Sequence, residues 1–433
     1  LRNTAVGADA GTALTTGDDN VLIGYQAGDA FDLESRNIAI GTDALGGASY
    51  AASDNIAIGY QAGLGLTTGT ENILIGTGVG DAGTFTGTGN TVIGYNAFTA
   101  TGLGSASRNV IIGDQPGQVI TSGSDNVLIG YVVGDAITTQ SQNIAIGAQA
   151  LTGPSYAAAA NIAIGYQSMD AATTGVRNTA VGWTSLSAIT TANDSTAVGY
   201  NALALDTGGS NTAVGSGAGD AITTGVSNVF IGLNAGGAKT NTNFNVAVGE
   251  GALAASAGGA DNTAVGRNAL NGTTGDSNVG IGSGAGLSIT SGTGNVAVGY
   301  NALDAGNSSS NTAIGYQALT TATGASNVAL GRNALQSVST GTFNLGIGHD
   351  TANDLSSGSY NLVIGYNARV PTATSSNQMN IGGVLWSDGV STGTQQTTIA
   401  TGGLGLGGMP AAGTLLSIET GGAGRNMVTS VGM

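Results

Sequence analysis

The feature that most constrains this chain is a five-residue phrase, Asn-x-(small or apolar)-(Ile/Val/Leu)-Gly, that returns about every 17 residues from Asn3 to Asn361. A fixed period over most of a chain marks a solenoid, in which each repeat buries its apolar side only against its neighbours. The phrase starts at Asn3, Asn20, Asn37, Asn55 and Asn72 and continues with spacings of 16 to 19 residues. Ser195 stands once in the Asn place. Counted in this way the chain holds 22 coils and a degenerate echo near Asn377.

Each coil has two unequal halves. The residues after Asn read as a short strand, as in Val21-Leu22-Ile23 or Ile38-Ala39-Ile40, built from good strand formers. A glycine closes it (Gly7, Gly24, Gly41, Gly59, Gly76), where a tight corner or a positive φ is expected. The second half runs Ala-Leu or Ala-Gly into a Thr/Ser/Gly-rich stretch such as Leu66-Thr67-Thr68-Gly69-Thr70, read as a weaker strand and a polar turn. A βαβ unit does not fit into so short a coil, because its crossover alone needs about a dozen residues. Stacked β coils do fit. At about 4.8 Å per coil they would make a rod of roughly 100 Å.

Composition narrows the class further. Glycine is 78 of 433 residues but does not fall at every third place, which excludes collagen. Charged residues are 8% and hydrophobic residues 41%, the reverse of a disordered chain. The net charge of −16, with only 9 basic residues, argues against a nucleic-acid groove. It is also a poor match to an anionic membrane surface, and the lack of a long apolar run argues against direct membrane insertion. There is no cysteine, so disulfides and thiolate metal sites are excluded.

Within the strand, the first and third positions point one way and the middle position the other. The Ile/Val pair is expected to form the core inside each coil. The middle position (Ala5, Leu22, Ala39, Leu74, Phe230) is also apolar or small throughout. A second dry face on a free rod would be a binding or aggregation surface. Packing of that middle face against other copies of the chain around the rod axis resolves the conflict, so a homo-oligomer is expected, the alternative being a single-chain solenoid with a mildly apolar outer face.

Stretches such as Asn37-Ile38-Ala39-Ile40-Gly41, Asn295-Val296-Ala297-Val298-Gly299 and Asn311-Thr312-Ala313-Ile314-Gly315-Tyr316 carry a resemblance to the YadA-like head repeats of trimeric autotransporter adhesins. The resemblance covers about residues 1 to 370 and implies a left-handed parallel β-roll in a homotrimer. The period here is slightly longer than in most such heads. In this long-period form the chain also resembles bacteriophage tail-fibre shafts that precede a self-cleaving intramolecular chaperone. Asn377-Gln378-Met379-Asn380-Ile381-Gly382 and Gly403-Leu404-Gly405-Leu406-Gly407-Gly408 with Pro410 carry that part.

The expected fold is therefore all-β: a left-handed parallel β-solenoid of about 17 residues per coil over 1–370, with a β-rich terminal cap or connector over 371–433. The expected function is non-catalytic and structural: a trimeric tail-fibre shaft that positions host attachment, or alternatively the head of a bacterial trimeric surface adhesin or another secreted extracellular fibre. The expected location is extracellular, in a virion tail fibre or a cell-surface filament. Partners implied are two further copies, other fibre or virion proteins, and a host surface glycan or protein receptor.

The Asn and Gly columns read as a structural turn ladder, because a catalytic site needs one constellation rather than a repeated residue. Aromatic residues often follow the corner glycine: Tyr25, Tyr60, Tyr95, Tyr131 and Tyr166 in alternate coils, then Trp183 and Tyr200 in succession. They are candidate surface contacts for a sugar, although mutual packing at the corner is the favoured reading. Arg36, Arg108 and Arg177 precede Asn in some coils and Asp19, Asp54 and Asp125 in others, so that charge pairing along this edge can help register. The single histidine, His349, has no neighbours in sequence that suggest a metal or hydrolytic site. Residues 85–89, 156–160 and 241–244 are the irregular places from which a receptor loop would emerge. No cofactor and no metal are expected.

Overall fold

A computed structural model describes residues 2–47, 51–81, 83–99, 104–153, 157–255, 257–304 and 306–382, with the backbone of 385–387 and 405–406. Its repeating element is a strand of three residues, from β1 (Thr4–Val6), β2 (Val21–Ile23) and β3 (Ile38–Ile40) through β22 (Leu362–Ile364) and β23 (Met379–Ile381). Two strands, β6 (Thr91–Tyr95) and β7 (Val110–Asp114), run to five residues. Each strand pairs with the next in parallel and in register, so that Thr4 lies beside Val21 and Val21 beside Ile38. The chain is a parallel β-solenoid with a repeat of about 17 residues.

The corner glycine is required twice over. Gly24 has φ 138°, a value that side-chain-bearing residues rarely adopt. A Cβ on it would also lie 2.4 Å from the carbonyl oxygen of Gly41 in the next coil. The residue before each Asn, and the second residue after the corner, also take positive φ, as at Asp19 (62°), Gln26 (56°), Arg36 (60°) and Gln61 (56°). These left-handed residues turn the chain where the strands end.

The two strand faces are the reverse of the sequence expectation. The middle residue is the one that points inward: Leu22, Ala39, Ala57, Leu74, Ile111 and Phe230 are fully buried within the single chain. The first and third residues look outward and stay half-buried or exposed. The cause is volume. A coil this short encloses a narrow channel shared by four inward columns: the strand's middle residue, the Ala after the corner, the Leu or Gly that follows it, and a far wall carrying Phe31, Leu66, Ile120, Ile189 and Ile222. One medium side chain fills it; a pair of β-branched residues from the same strand would overfill it.

Neighbouring inward columns trade volume. Where the middle residue is large, as at Leu22, Leu128 and Phe230, the position after the buried Ala or Val is Gly28, Gly134 or Gly236. A Cβ on Gly236 would lie 2.4 Å from Phe230 Cδ1, and one on Gly28 would lie 2.8 Å from Leu22 Cδ2. Where the middle residue is Ala, as at Ala180, Ala197 and Ala264, a buried leucine takes the second place: Leu186, Leu203 and Leu270. At Gly280 even the middle side chain is given up, because Leu270 of the preceding coil leans over it, with its Cγ 2.6 Å from where a Cβ would stand.

The irregular coil at 85–89 adds to this core, whereas Phe244 in the 241–244 segment stands exposed. Phe85, expected in a candidate receptor loop, is fully buried, bridges to Leu66 and meets Phe98 edge-on at 5.1 Å. At the C-terminal side the ladder continues to β23, where Leu362 pairs with Met379. Antiparallel strands β24 (Leu385–Ser387) and β25 (Gly405–Leu406) follow. Most of the 371–433 region, including Met409 and Pro410, and part of the 156–160 segment lie outside the described residues.

Candidate functional site

The repeated asparagines occupy one buried column. Each Asn Oδ1 accepts the backbone N–H of the next Asn: Asn20 N donates to Asn3 Oδ1 at 2.8 Å, Asn37 to Asn20 at 2.9 Å, Asn55 to Asn37 at 2.9 Å and Asn72 to Asn55 at 3.0 Å. In most coils Nδ2 reaches a carbonyl near the end of the following turn, such as Gly17 from Asn3 (2.7 Å), Glu34 from Asn20 (2.8 Å) and Gly69 from Asn55 (3.0 Å). A carboxamide alone offers an acceptor and two donors on one short stem, so neither Asp nor Leu can replace it. The column joins coil to coil and closes each coil on itself. It presents no group to solvent, with Asn20, Asn37, Asn55 and Asn72 fully buried.

Two exceptions show how the ladder tolerates change. At Ser195 the side chain is too short, and Asp206 from the far wall supplies the missing reach. Ser195 Oγ donates to Asp206 Oδ2 at 2.9 Å, while Asn211 Nδ2 (3.1 Å) and Gly208 N (2.9 Å) donate to Asp206 Oδ1. These bonds rebuild the corner at Ser195. Burial pushes the Asp206 carboxyl above its ordinary range despite these donors. Near the C-terminus the column is held by Gln378, one residue beyond the expected echo at Asn377. Its N–H donates to Asn361 Oδ1 at 2.8 Å, and its Nε2 reaches Thr372 O and Ser375 O at 2.8 and 2.7 Å.

Sequence reasoning missed Asp206 and Lys239. Both stand in the far-wall column that carries Ile189 and Ile222 in neighbouring coils, and a charge in that register was the available signal. Lys239 is buried, donates to the carbonyls of Gly258 and Thr273, and its pKa is lowered to about 8 by burial.

On the exposed edge before each Asn, arginine and aspartate form bidentate pairs across adjacent coils. Arg36 Nε and Nη2 donate to Asp54 at 2.5 and 2.7 Å, Arg108 to Asp125 at 2.7 and 2.8 Å, and Arg177 to Asp194 at 2.6 and 2.8 Å. Arg2 reaches Asp19 at 2.7 Å. The guanidinium holds each of Asp54, Asp125 and Asp194 below the ordinary carboxyl range. These pairs use Asp19 and Asp54 in register along the edge. Among the described residues no three His, Cys, Asp or Glu side chains gather in a way that could hold a metal ion. His349 Nδ1 lies 2.9 Å from Asp350 Oδ2, and its ring stacks on Tyr366 with centroids 5.4 Å apart.

The rings after the corner lie on the outside. Tyr25, Tyr60, Tyr95, Tyr131 and Trp183 are about half-exposed, Tyr60 at 51%, and Tyr166 slightly less. Mutual packing occurs where rings fall on consecutive coils: Tyr166 and Trp183 have centroids 4.6 Å apart, and Tyr300 and Tyr316 stack at 5.3 Å. In the alternate-coil run the rings are two coils, about 9.6 Å, apart, beyond the roughly 7 Å reach of a ring pair.

The outer strand face carries a continuous apolar column among the described residues. Its third position is Ile, Val or Leu in every coil from Val6 to Ile364. Ile23, Val214, Ile231, Ile281 and Leu330 on it are exposed, Ile231 at 40%. Among the described residues no helix is long and apolar enough to cross a membrane. No protein family model matches the chain, and no curated protein matches it.

Proposed function

We propose that this protein is a structural fibre subunit whose outer Ile/Val face packs against two further copies around a threefold axis. The observation that carries the reading is the third strand position, which faces outward and is aliphatic in every coil. A monomeric solenoid with a wet outer face would place polar residues there. A continuous apolar stripe along a rod calls for a partner of equal length and matching register, and a second and third copy of the same chain supply both. The interchain core then comes from the first and third positions, not from the middle position assigned to it on sequence grounds. Handedness follows the YadA-like resemblance, which implies a left-handed roll.

The rod would be a phage tail-fibre shaft involved in host attachment, extracellular on the virion. Its corner-to-corner ladder gives length and stiffness with no reacting group. The head of a bacterial trimeric surface adhesin is the second reading, and the recurring Asn-x-Ala-(Ile/Val)-Gly phrase favours it. Labelling intact virions and whole cells with an antibody to the coil region, followed by electron microscopy, tests the assignment. Label along a tail fibre supports the shaft and label on a cell-surface filament supports the adhesin. Label confined to the cell interior would contradict both.

A further inference from the structure

We propose that the alternating tyrosines Tyr25, Tyr60, Tyr95, Tyr131 and Tyr166 form a comb that binds a neutral, extended, β-linked polysaccharide lengthwise along the rod. The inference concerns a ligand class and stands whether the rod belongs to a virion or to a cell. It adds a binding face to a molecule otherwise read as structural.

Three observations converge on it. First, the rings are half-exposed and each is followed by a partly exposed polar side chain in four of the five coils: Gln26, Gln61, Asn96 and Gln167. A ring with an amide beside it offers a flat apolar surface and a hydrogen-bonding group, the combination that a sugar's CH face and hydroxyl rim require.

Second, the intervening coils carry small or short residues at the same corner, Thr42, Thr77, Asp114 and Ala148, so that no two rings of the run stand on adjacent coils; Tyr166 ends the run, packed on Trp183 of the following coil with centroids 4.6 Å apart. Corner packing does not explain this alternation, because rings about 9.6 Å apart do not touch. An extended β-linked glycan with a twofold screw does fit it. Every second sugar presents the same face, and two sugars advance by about the distance between alternate coils. The five rings would thus read the same face of five successive disaccharides.

Third, the charge is right for a neutral chain and wrong for an acidic one. The protein carries a net charge of −16, and the arginines on the neighbouring edge, Arg36, Arg108 and Arg177, are already paired with Asp54, Asp125 and Asp194. An anionic glycan would meet repulsion and no free guanidinium from these three.

The test uses the full chain and isothermal titration with cellohexaose and chitohexaose, with maltohexaose as a curled α-linked control and light scattering on every variant. The wild type should bind one or both extended oligosaccharides and discriminate against maltohexaose. Tyr60→Ala and Tyr95→Ala should each weaken binding by about tenfold, a loss of the size expected for one stacked ring. Thr77→Tyr provides the sharper check. It adds an aromatic group, yet lets Tyr60, the new ring and Tyr95 stack on one another as Tyr300 and Tyr316 do, so binding should fall. Tighter binding by Thr77→Tyr would mean a merely sticky surface and overturn the proposal. So would no binding by the wild type, or equal affinity for maltohexaose. A change of molar mass in the Tyr→Ala variants would show that the column is a contact between chains, and would overturn it as well.

Discussion

At the scale of single residues, the coil depends on polar groups that are buried and fully used. Asn at the strand start was legible in the sequence because the same side chain solves the same problem in every turn. Ser195 and Asp206 were not legible as a pair. They lie eleven residues apart on opposite walls of one coil, and only folding brings Ser195 Oγ within 2.9 Å of the carboxylate. Their interdependence can be measured. Asp206→Leu alone strands the Ser195 hydroxyl, Asn211 Nδ2 and the Gly208 N–H, and should cost about 2–4 kcal/mol. Combining it with Ser195→Asn recreates the Asn-plus-aliphatic arrangement of neighbouring coils and should recover most of that loss. Denaturation of both singles and the double variant gives the coupling; simple additivity would show that Asp206 does not complete the ladder.

At the scale of the coil, period, strand position and corner glycine could all be read from the sequence, but the direction of the strand could not. A strand of three residues is too short to show alternation, and here both of its faces are apolar, so pattern alone gives no sign. What decides is the space inside, visible only once Gly28, Gly134 and Gly236 are seen to make room for Leu22, Leu128 and Phe230. The same exchange yields a prediction. Phe230→Ala should open a cavity and cost about 3–5 kcal/mol. Gly236→Leu should be as damaging, because the added side chain runs into the Phe230 ring. Together they restore the Ala-plus-Leu packing of Ala247 and Leu253 one coil on, and the double variant should be more stable than either single. A double variant worse than both would mean that the columns do not share volume.

At the scale of the whole molecule, repeated weak features add up along the stack. Burial raises the pKa of Asp29, Asp81, Asp135, Asp170, Asp220 and Asp304 in the same turn position of different coils, and of Asp206 in the core. A carboxyl whose folded pKa is raised holds its proton more tightly in the fold. Its contribution is fully present below the ordinary value of 3.8 and is lost as pH rises through the folded value. Asp54, Asp125 and Asp194, lowered by their arginines, act in the opposite sense: their contribution is present above 3.8 and lost as pH falls through their folded values. They are exposed pairs and contribute little. The protein should therefore melt at a higher temperature at about pH 4 than at about pH 7, a window in which Lys239, with its pKa near 8, stays largely protonated. A lower midpoint in acid would show that the surface pairs dominate.

The outward aliphatic face is the largest consequence of the repeat, and association through it is the central claim. The most direct measurement is the molar mass of the chain in dilute solution by light scattering. Three chains of 41.6 kDa in one stable particle, persisting on dilution, is the expected result. A soluble particle with the mass of a single chain would leave the outer Ile/Val columns without a partner and contradict the account.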